Sequence, residues 1–184
     1  MLMPMKIHHI RTALIFCAAA LGVAALQAQP SAVSASGFTL SYREEIMVSS
    51  DDAWKAIVQV QKWWNGQHSY SGQASNLSLE LSPGGCWCER WGDGNLVMHG
   101  QVVMVQTGRV IRLYANFGPL QDLPVHGVFT IATGASEGKT MLRMTYRVGG
   151  NSDAGLDKLA PGVERVIAEA YKRLKLFVET GRPE

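Results

Sequence analysis

Six short segments between Leu77 and Val148 alternate apolar and polar residues, and this region limits the possible folds more than any other part of the chain. Each segment has the two-residue period of a strand with one buried face, and glycine-containing turns such as Pro83-Gly84-Gly85 and Gly92-Asp93-Gly94-Asn95 separate them. Strands joined by such short turns run antiparallel. The region therefore predicts an antiparallel meander of six strands.

One face of each predicted strand is apolar, so the alternation also predicts which side chains face the core. It places His99 and His126 opposite their apolar neighbours, facing solvent. The inner faces of the third and later strands of the meander are predicted to carry Leu96, Met98, Val102, Met104, Ile111, Leu113, Ala115, Phe117, Val125, Gly127, Phe129, Ile131, Leu142, Met144, Tyr146 and Val148.

Two further elements precede the meander. Residues 38–48 alternate like another strand, with Glu44 as an exception on its apolar face. Ser49, followed by Asp52, has the spacing of a helix N-cap and predicts a helix over 50–64. The helix ends on two adjacent tryptophans, which cannot both face the same core. We expect one of them to fill the core and the other to cover a loop or a cavity mouth.

The chain closes with an amphipathic helix. Apolar residues recur at three- and four-residue steps from Val163 to Val178, and charged residues occupy the other side. Pro161 suits the first turn of this helix and Gly181 its end. At 1.5 Å per residue such a helix spans about 27 Å, long enough to lie across a curved sheet. The sequence therefore predicts an α+β fold with one long helix packed on an antiparallel sheet.

The first 28 residues have the layout of a secretory signal peptide. Lys6 and Arg11 precede an uncharged run over 12–26, and small residues follow up to Ala28. This run is shorter than the roughly 20 residues that cross a bilayer. We therefore expect cleavage after Ala28, a secreted or periplasmic protein, and no membrane span after cleavage. Residues 29–36 predict a flexible N-terminal segment, and 37–184 a single folded domain.

Charge and cysteine content argue against two classes of protein. Lys6 and Arg11 fall in the leader, so the other 15 of the 17 basic residues match the 15 acidic ones. The mature domain shows no basic patch with interleaved aromatics, and we expect no nucleic-acid partner. Its two cysteines, Cys86 and Cys88, are too few for a disulfide-rich scaffold.

The two cysteines enclose one residue, Trp87. Residues two apart in a regular strand have Cα atoms about 6.6 Å apart and parallel Cβ directions, which forbids a direct disulfide unless the strand is bulged or bent. We therefore favour two packed thiols. A strained or intermolecular disulfide, and metal binding with His99 as a further ligand, remain alternatives. The alternation does not decide whether the cysteines or Trp87 and Glu89 face inward.

The order of these elements resembles the helix-grip fold, and the chain resembles the SRPBCC superfamily, which includes START and birch-pollen-allergen-like domains. Segments similar to the branch related to the activator of the heat-shock-protein-90 ATPase are Asp51-Asp52-Ala53-Trp54, Trp63-Trp64, Pro83-Gly84-Gly85, Gly100-Gln101-Val102-Val103 and the final helix. The resemblance covers most of residues 38–181. It implies a curved antiparallel sheet of about seven strands, in the order β-α-α-β6-α, wrapped on the C-terminal helix. It bears on architecture more than on activity.

The resemblance also implies a cavity between sheet and helix, used in related domains for lipids, aromatic small molecules, or cyclase and dehydratase chemistry. In this sequence a small hydrophobic or amphipathic ligand would contact Trp64, Trp87, Met98, Leu113, Phe117, Phe129, Met144, Tyr171 and Leu174. The same side chains could instead fill the space and make the domain a structural or interaction module. The binding hypothesis requires a cavity above about 300 Å³.

An enzyme that uses the same cavity is the competing hypothesis. General acid–base catalysis needs a titratable group at a desolvated site within reach of the substrate. The candidates are Glu44, His68, Glu89, His99 and His126. Glu44 is the best lone carboxylate, because the alternation places it inward. We assign no residue as catalytic, and we predict no cofactor and no resident metal.

Overall fold

The computed structural model describes residues 31–184, so the predicted signal peptide lies outside the described residues. The described residues form an eight-stranded sheet and three α-helices. The strands are β1 (Ser31–Ser34), β2 (Gly37–Ile46), β3 (Leu77–Leu79), β4 (Cys86–Trp91), β5 (Asn95–Gln106), β6 (Val110–Ala115), β7 (Val125–Ser136) and β8 (Lys139–Gly150). The helices are α1 (Ser50–Ile57), α2 (Val60–Trp63) and α3 (Leu156–Thr180). No helix within 31–184 is both long and apolar enough to cross a membrane.

The sheet has the order β1-β2-β8-β7-β6-β5-β4-β3, and every neighbouring pair is antiparallel. After β2 the chain passes through α1 and α2 to the far edge, and the meander then returns strand by strand until β8 pairs with β2. The predicted α+β helix-grip architecture is confirmed. Residues 31–34, within the segment predicted to be flexible, pair with β2 as a short additional strand.

The predicted first helix is divided into α1 and α2. Ser49 caps α1 as expected, since its Oγ accepts a hydrogen bond from the Asp52 backbone N–H at 3.1 Å. The helix ends at Ile57, and the indole Nε1 of Trp63 donates to the Ile57 carbonyl at 3.1 Å. A fully buried tryptophan thereby satisfies a carbonyl that the end of a helix leaves without a partner.

The long helix starts earlier than predicted. It begins at Leu156, so Pro161 lies inside it rather than in its first turn, where the missing N–H would cost nothing. Its end agrees with the prediction, because Gly181 has a φ of 76° and its N–H donates to the Phe177 carbonyl at 2.8 Å. The apolar stripe of α3 is buried, and the Tyr171 hydroxyl donates to the Leu142 carbonyl of β8.

The predicted inner faces of β6, β7 and β8 are confirmed. Apart from Val125, which is partly buried, their apolar residues are buried in the alternating pattern that the sequence indicates. The pairings β2·β8, β8·β7 and β7·β6 each keep one register along their whole length. Nothing in these strands reverses the alternation, so residues two apart stay on the same side of the sheet.

The predicted inner face of β5 is wrong. Leu96, Met98 and Met104 were assigned to the core, but the first two are 57% and 54% exposed and the third is 40% exposed, whereas Val102 is buried. His99 was expected to face solvent and is buried, with 5% of its surface exposed. Two neighbouring residues, His99 and Gly100, are both buried, which a regular strand with only one buried face does not allow.

Two β-bulges explain this difference. In the pairing with β4, Trp87 lies opposite Gly100 and Cys88 opposite Met98, so His99 is an extra residue on β5. In the pairing with β6 the register shifts again after Val102. Each bulge inserts one residue and reverses which side chains point inward. The bulge at His99 therefore turns Met98 outward and brings the imidazole to the inner side.

Candidate functional site

A cavity of about 680 Å³ lies between the first half of α3 and the concave side of the sheet. The chain after α2 and the chain after β6 form its other sides. The residues that line it are Trp64, His68, Ser69, Tyr70, His99, Phe117, Gly118, Pro119, Asp122, Lys158, Leu159, Pro161, Gly162, Val163, Arg165, Val166 and Ile167.

Aromatic rings form one wall of this cavity. Trp64 and Phe117 both line it and are buried, with ring centroids 5.5 Å apart. Trp87 contacts both rings, at 5.1 Å from Trp64 and 5.5 Å from Phe117. Trp63 packs against the other side of Trp87, at 5.7 Å. The wall is therefore supported from behind by filled core, which restricts the rotation of its rings.

A buried histidine–carboxylate pair, Glu89 with His99, lies beside the aromatic wall. Glu89 on β4 has no exposed surface, and its Oε2 is 2.9 Å from Nε2 of His99. The backbone N–H groups of Tyr70 and Ser71 donate to the two carboxylate oxygens. Three donors thus surround one buried carboxylate, which compensates for its removal from water.

These contacts determine the charge of the pair. Burial raises the pKa of the Glu89 carboxyl. Hydrogen bonds from Ser71, Tyr70 and His99 lower it by more than burial raises it, so the net pKa is below its ordinary value. Burial lowers the pKa of His99 below its ordinary value, although Glu89 acts in the opposite direction. At neutral pH the pair is therefore a carboxylate and a neutral imidazole, with the imidazole proton on Nε2 and directed at Glu89.

A second histidine–carboxylate pair lies at the rim. His68 Nε2 is 2.9 Å from Oε2 of Glu169 on α3, and Asn65 donates to the other oxygen of the same carboxylate. Burial raises the pKa of Glu169, and the hydrogen bonds from His68 and Asn65 lower it to a net value below the ordinary one. The rim pair is much more exposed than the Glu89–His99 pair. It fastens the loop after α2 to the long helix.

Tyr70 covers the outer side of His99. The two ring centroids are 5.9 Å apart, and the tyrosine hydroxyl donates to Gln121 Oε1 at 3.2 Å. Its own backbone N–H is bound to Glu89. One loop residue therefore bridges the buried carboxylate and the segment that follows β6.

The segment of α3 that borders the cavity contributes little bulk and two cations. Pro161 and Gly162 face the cavity, and a Cβ added at Gly162 would meet only the end of the Arg165 side chain, at 3.8 Å. Lys158 and Arg165 also line it, and neither takes part in an ion pair within residues 31–184. The opening is therefore positively charged at α3, with Asp122 as the acidic residue opposite.

The described residues resemble several solved structures. A protein from Staphylococcus saprophyticus has a TM-score of 0.52 and 16% identity, over 78% of this chain and 93% of that one. The Aha1 dimer from Colwellia psychrerythraea gives 0.50 and 16%, over 78% and 97%. The di-domain ARO/CYC StfQ from the steffimycin biosynthetic pathway gives 0.51 and 14%, over 78% and 51%. The described residues share the fold of these structures, and it is the helix-grip fold.

At these identities the similarity concerns the fold alone, and at that level it confirms the resemblance seen in the sequence. No protein-family model matches the chain, and no curated protein sequence matches it. The function of the protein therefore depends on the geometry of its own cavity.

The nine residues predicted to contact a ligand fall into three groups in the structure. Trp64 and Phe117 line the cavity, and Trp87 lies directly behind them. Met98 lies on the outer side of β5, in a shallower depression of about 330 Å³ that His99 also borders. The remaining five are buried in the filled core and do not line the large cavity: Leu113, Phe129, Met144, Tyr171 and Leu174.

The preferred interpretation of the two cysteines is wrong. Cys86 and Cys88 form a disulfide rather than two packed thiols, and their Cα atoms are 5.3 Å apart instead of the roughly 6.6 Å of a regular strand. The register between β4 and β5 shifts between Trp87 and Cys88, which is the irregularity that such a bridge requires. Trp87 and Glu89 face inward, so the disulfide lies on the other face of β4. Residues 31–184 contain no cluster of three or more potential metal ligands.

The structure separates the five acid–base candidates. Glu44 forms an ion pair with Lys175 of α3 and does not border the cavity. His126 is exposed, as predicted, with its ring 4.4 Å from Tyr114. His68, Glu89 and His99 form the two pairs described above. The sequence named Glu89 and His99 separately, but the bulge that brings them together has no recognisable pattern in the alternation.

Proposed function

We propose that this protein binds a small hydrophobic or amphipathic molecule in the cavity between α3 and the sheet. The observation that carries the proposal is the cavity itself, whose volume of about 680 Å³ falls in the range of small-molecule sites, about 300–1,000 Å³. Its aromatic wall of Trp64 and Phe117, combined with polar side chains that could orient a ligand, matches the usual composition of such sites. A filled core, the alternative for a structural or interaction module, would leave no such space.

The charges at the opening support an amphipathic ligand. Lys158 and Arg165 offer cationic groups at α3, while the deeper wall is apolar. A ligand with an apolar ring system and an anionic group would place its rings against Trp64 and its charge at the opening. An enzyme that uses the same cavity is the second candidate, because the Glu89–His99 pair holds a neutral imidazole at the cavity wall.

Binding can be tested with 1-anilinonaphthalene-8-sulfonate, which combines fused rings with an anionic group. The decisive variant is Gly162→Phe, which fills the cavity from α3, with Gly162→Ala as the matched control. We expect the probe to bind the wild type and the alanine variant, and to bind the phenylalanine variant at least about tenfold more weakly. Thermal unfolding should show that both variants are folded. Equal affinity for both variants would contradict binding in this cavity.

We also propose that the protein is exported and works in the periplasm or outside the cell. The leader pattern of residues 1–28 and the Cys86–Cys88 disulfide support this, since disulfides persist in oxidising compartments. The test is the intact mass of the protein from the exported fraction under non-reducing conditions. A chain that begins near Gln29 is expected, and a chain that retains residues 1–28 would overturn the proposal.

A further inference from the structure

We propose that Nδ1 of His99 is a hydrogen-bond acceptor through which the cavity selects planar aromatic molecules that carry a neutral hydroxyl group. The inference rests on the proposed function, because it concerns a ligand of the same cavity. In this proposal the buried side chain of His99 determines which of two ligands of similar size and shape binds more tightly.

The tautomer of His99 follows from its partner. Glu89 is a carboxylate with no proton to donate, so the atom of His99 that faces it, Nε2, carries the imidazole proton. In a neutral imidazole the other nitrogen is then an acceptor with a free lone pair. Glu89 is thus a positioning residue: it fixes both the orientation of the ring and the acceptor character of Nδ1.

Nδ1 of His99 is partly accessible rather than fully buried. Within residues 31–184, the side-chain polar atoms that are both buried and unpartnered belong to Tyr42 and Thr133. His99 Nδ1 is not among them, although the hydrogen bond of this side chain is made by Nε2. The atom therefore keeps some accessible surface, and the ring borders the large cavity and the shallow depression on the outer side. An acceptor at the wall of a largely apolar cavity gains most from a ligand donor, because water is scarce there.

The neighbouring rings restrict the shape of the ligand. His99 is 6.4 Å from Phe117 and nearly parallel to it, with an interplanar angle of 30°, and Phe117 also contacts Trp64. A flat aromatic frame packed on this wall would bring a substituent on its edge towards the imidazole. The buried charge of Glu89 disfavours an anionic substituent at this depth. A neutral hydroxyl group combines a donor with no charge and fits these conditions.

The first test compares 2-naphthol with 2-methoxynaphthalene, which has the same ring system without a donor. Affinities are measured by displacement of 1-anilinonaphthalene-8-sulfonate from the full mature protein. We expect the wild type to prefer the naphthol by about tenfold. His99→Phe should reduce this ratio to near one while the affinity for the ether stays the same. His126→Phe, at an exposed histidine that does not line this cavity, is the matched control and should keep the preference.

A second variant tests the positioning role of Glu89 without removing the imidazole. In Glu89→Ala the imidazole loses the acceptor that keeps its proton on Nε2, so neither the orientation of the ring nor the acceptor character of Nδ1 is fixed any longer. The ratio of the two affinities should then fall towards one. A purely structural role of Glu89 would weaken both ligands equally and leave their ratio unchanged, and that result would overturn the assignment.

The outcomes separate the two proposals. If the wild type binds both compounds with equal affinity, the role of His99 is wrong and the binding cavity stands. If the fluorescent probe binds but neither compound displaces it, the role of His99 is wrong and the binding cavity stands; if the probe itself does not bind, the proposed function fails as well. If His99→Phe does not fold, the ratio in the folded Glu89→Ala variant decides the inference.

Discussion

The two sides of the sheet are built differently although they belong to the same layer. From β2 through β8 and β7 to β6 the register is unbroken, and the inner side chains fill the space against α3. Around β4 and β5 the sheet carries two bulges, a disulfide, a buried carboxylate and the cavity. The regular side supplies packing, whereas the irregular side gives up regular pairing to direct a polar side chain inward.

The largest expected effect on stability comes from a core substitution on the regular side of the sheet. Phe129 is fully buried and contacts three other aromatic rings, so Phe129→Ala should lower the free energy of unfolding by about 3–5 kcal/mol. Urea denaturation followed by circular dichroism measures this. Leu159→Ala, on the cavity side of α3, is the matched control and should cost less than half as much. Similar losses at both positions would show that the two sides do not differ in packing.

A smaller effect is expected from the buried polar pair on the irregular side. Glu89→Ala leaves the N–H groups of Tyr70, Ser71 and His99 without their acceptor and should cost about 2–3 kcal/mol. Glu44→Ala on the regular side breaks a more exposed ion pair and should cost less than about 1 kcal/mol. The two variants are compared by urea denaturation at neutral pH. An equal cost would mean that Glu89 is not the buried acceptor described above.

The disulfide should contribute less than Glu89. It closes a loop of three residues, and replacing both Cys86 and Cys88 by serine should lower the free energy of unfolding by about 1–2 kcal/mol. Because the bridge lies beside the bulge at His99, the imidazole NMR signals should shift in the same variant. The same signals can be compared between the oxidised and the reduced wild type. Unchanged signals in both comparisons would show that the disulfide does not determine the geometry of the bulge.

The smallest effect is the pH dependence of stability. The folded-state pKa of His99 is below its ordinary 6.5, so the unfolded chain binds the proton more readily and stability falls as pH drops below 6.5. Glu89, and at the rim Glu169, also have lowered pKa values, so a second loss follows below their ordinary 4.5. Urea titrations at successive pH values measure both windows.

His99→Phe should remove the first loss of stability and leave the second. The same decline between pH 6.5 and 4.5 in this variant would show that another group causes it. His68→Gln serves as the control.

Much of the fold could be predicted because most of its helices and strands have a recognisable pattern within a short stretch of sequence. The alternation of β6, β7 and β8 and the apolar stripe of α3 reflect burial on one side of a regular element, which any short window of sequence records. The start of α3 was missed because proline is favoured in the first turn of a helix, whereas Pro161 lies in the second turn of α3. The site was predicted in part, since Trp64 and Phe117 were named, whereas Met98 was placed on the wrong face.

The sequence by itself determined the class of fold, the faces of the regular strands and the long helix, because these depend on periodicity within a few residues. It also supplied Glu89 and His99 as candidates and Cys86 and Cys88 as a close pair. Only the tertiary structure decided that a bulge turns His99 inward, that the cysteines are bridged and that space remains beneath α3. Each of these depends on the register between neighbouring strands, which a pattern along one strand does not contain.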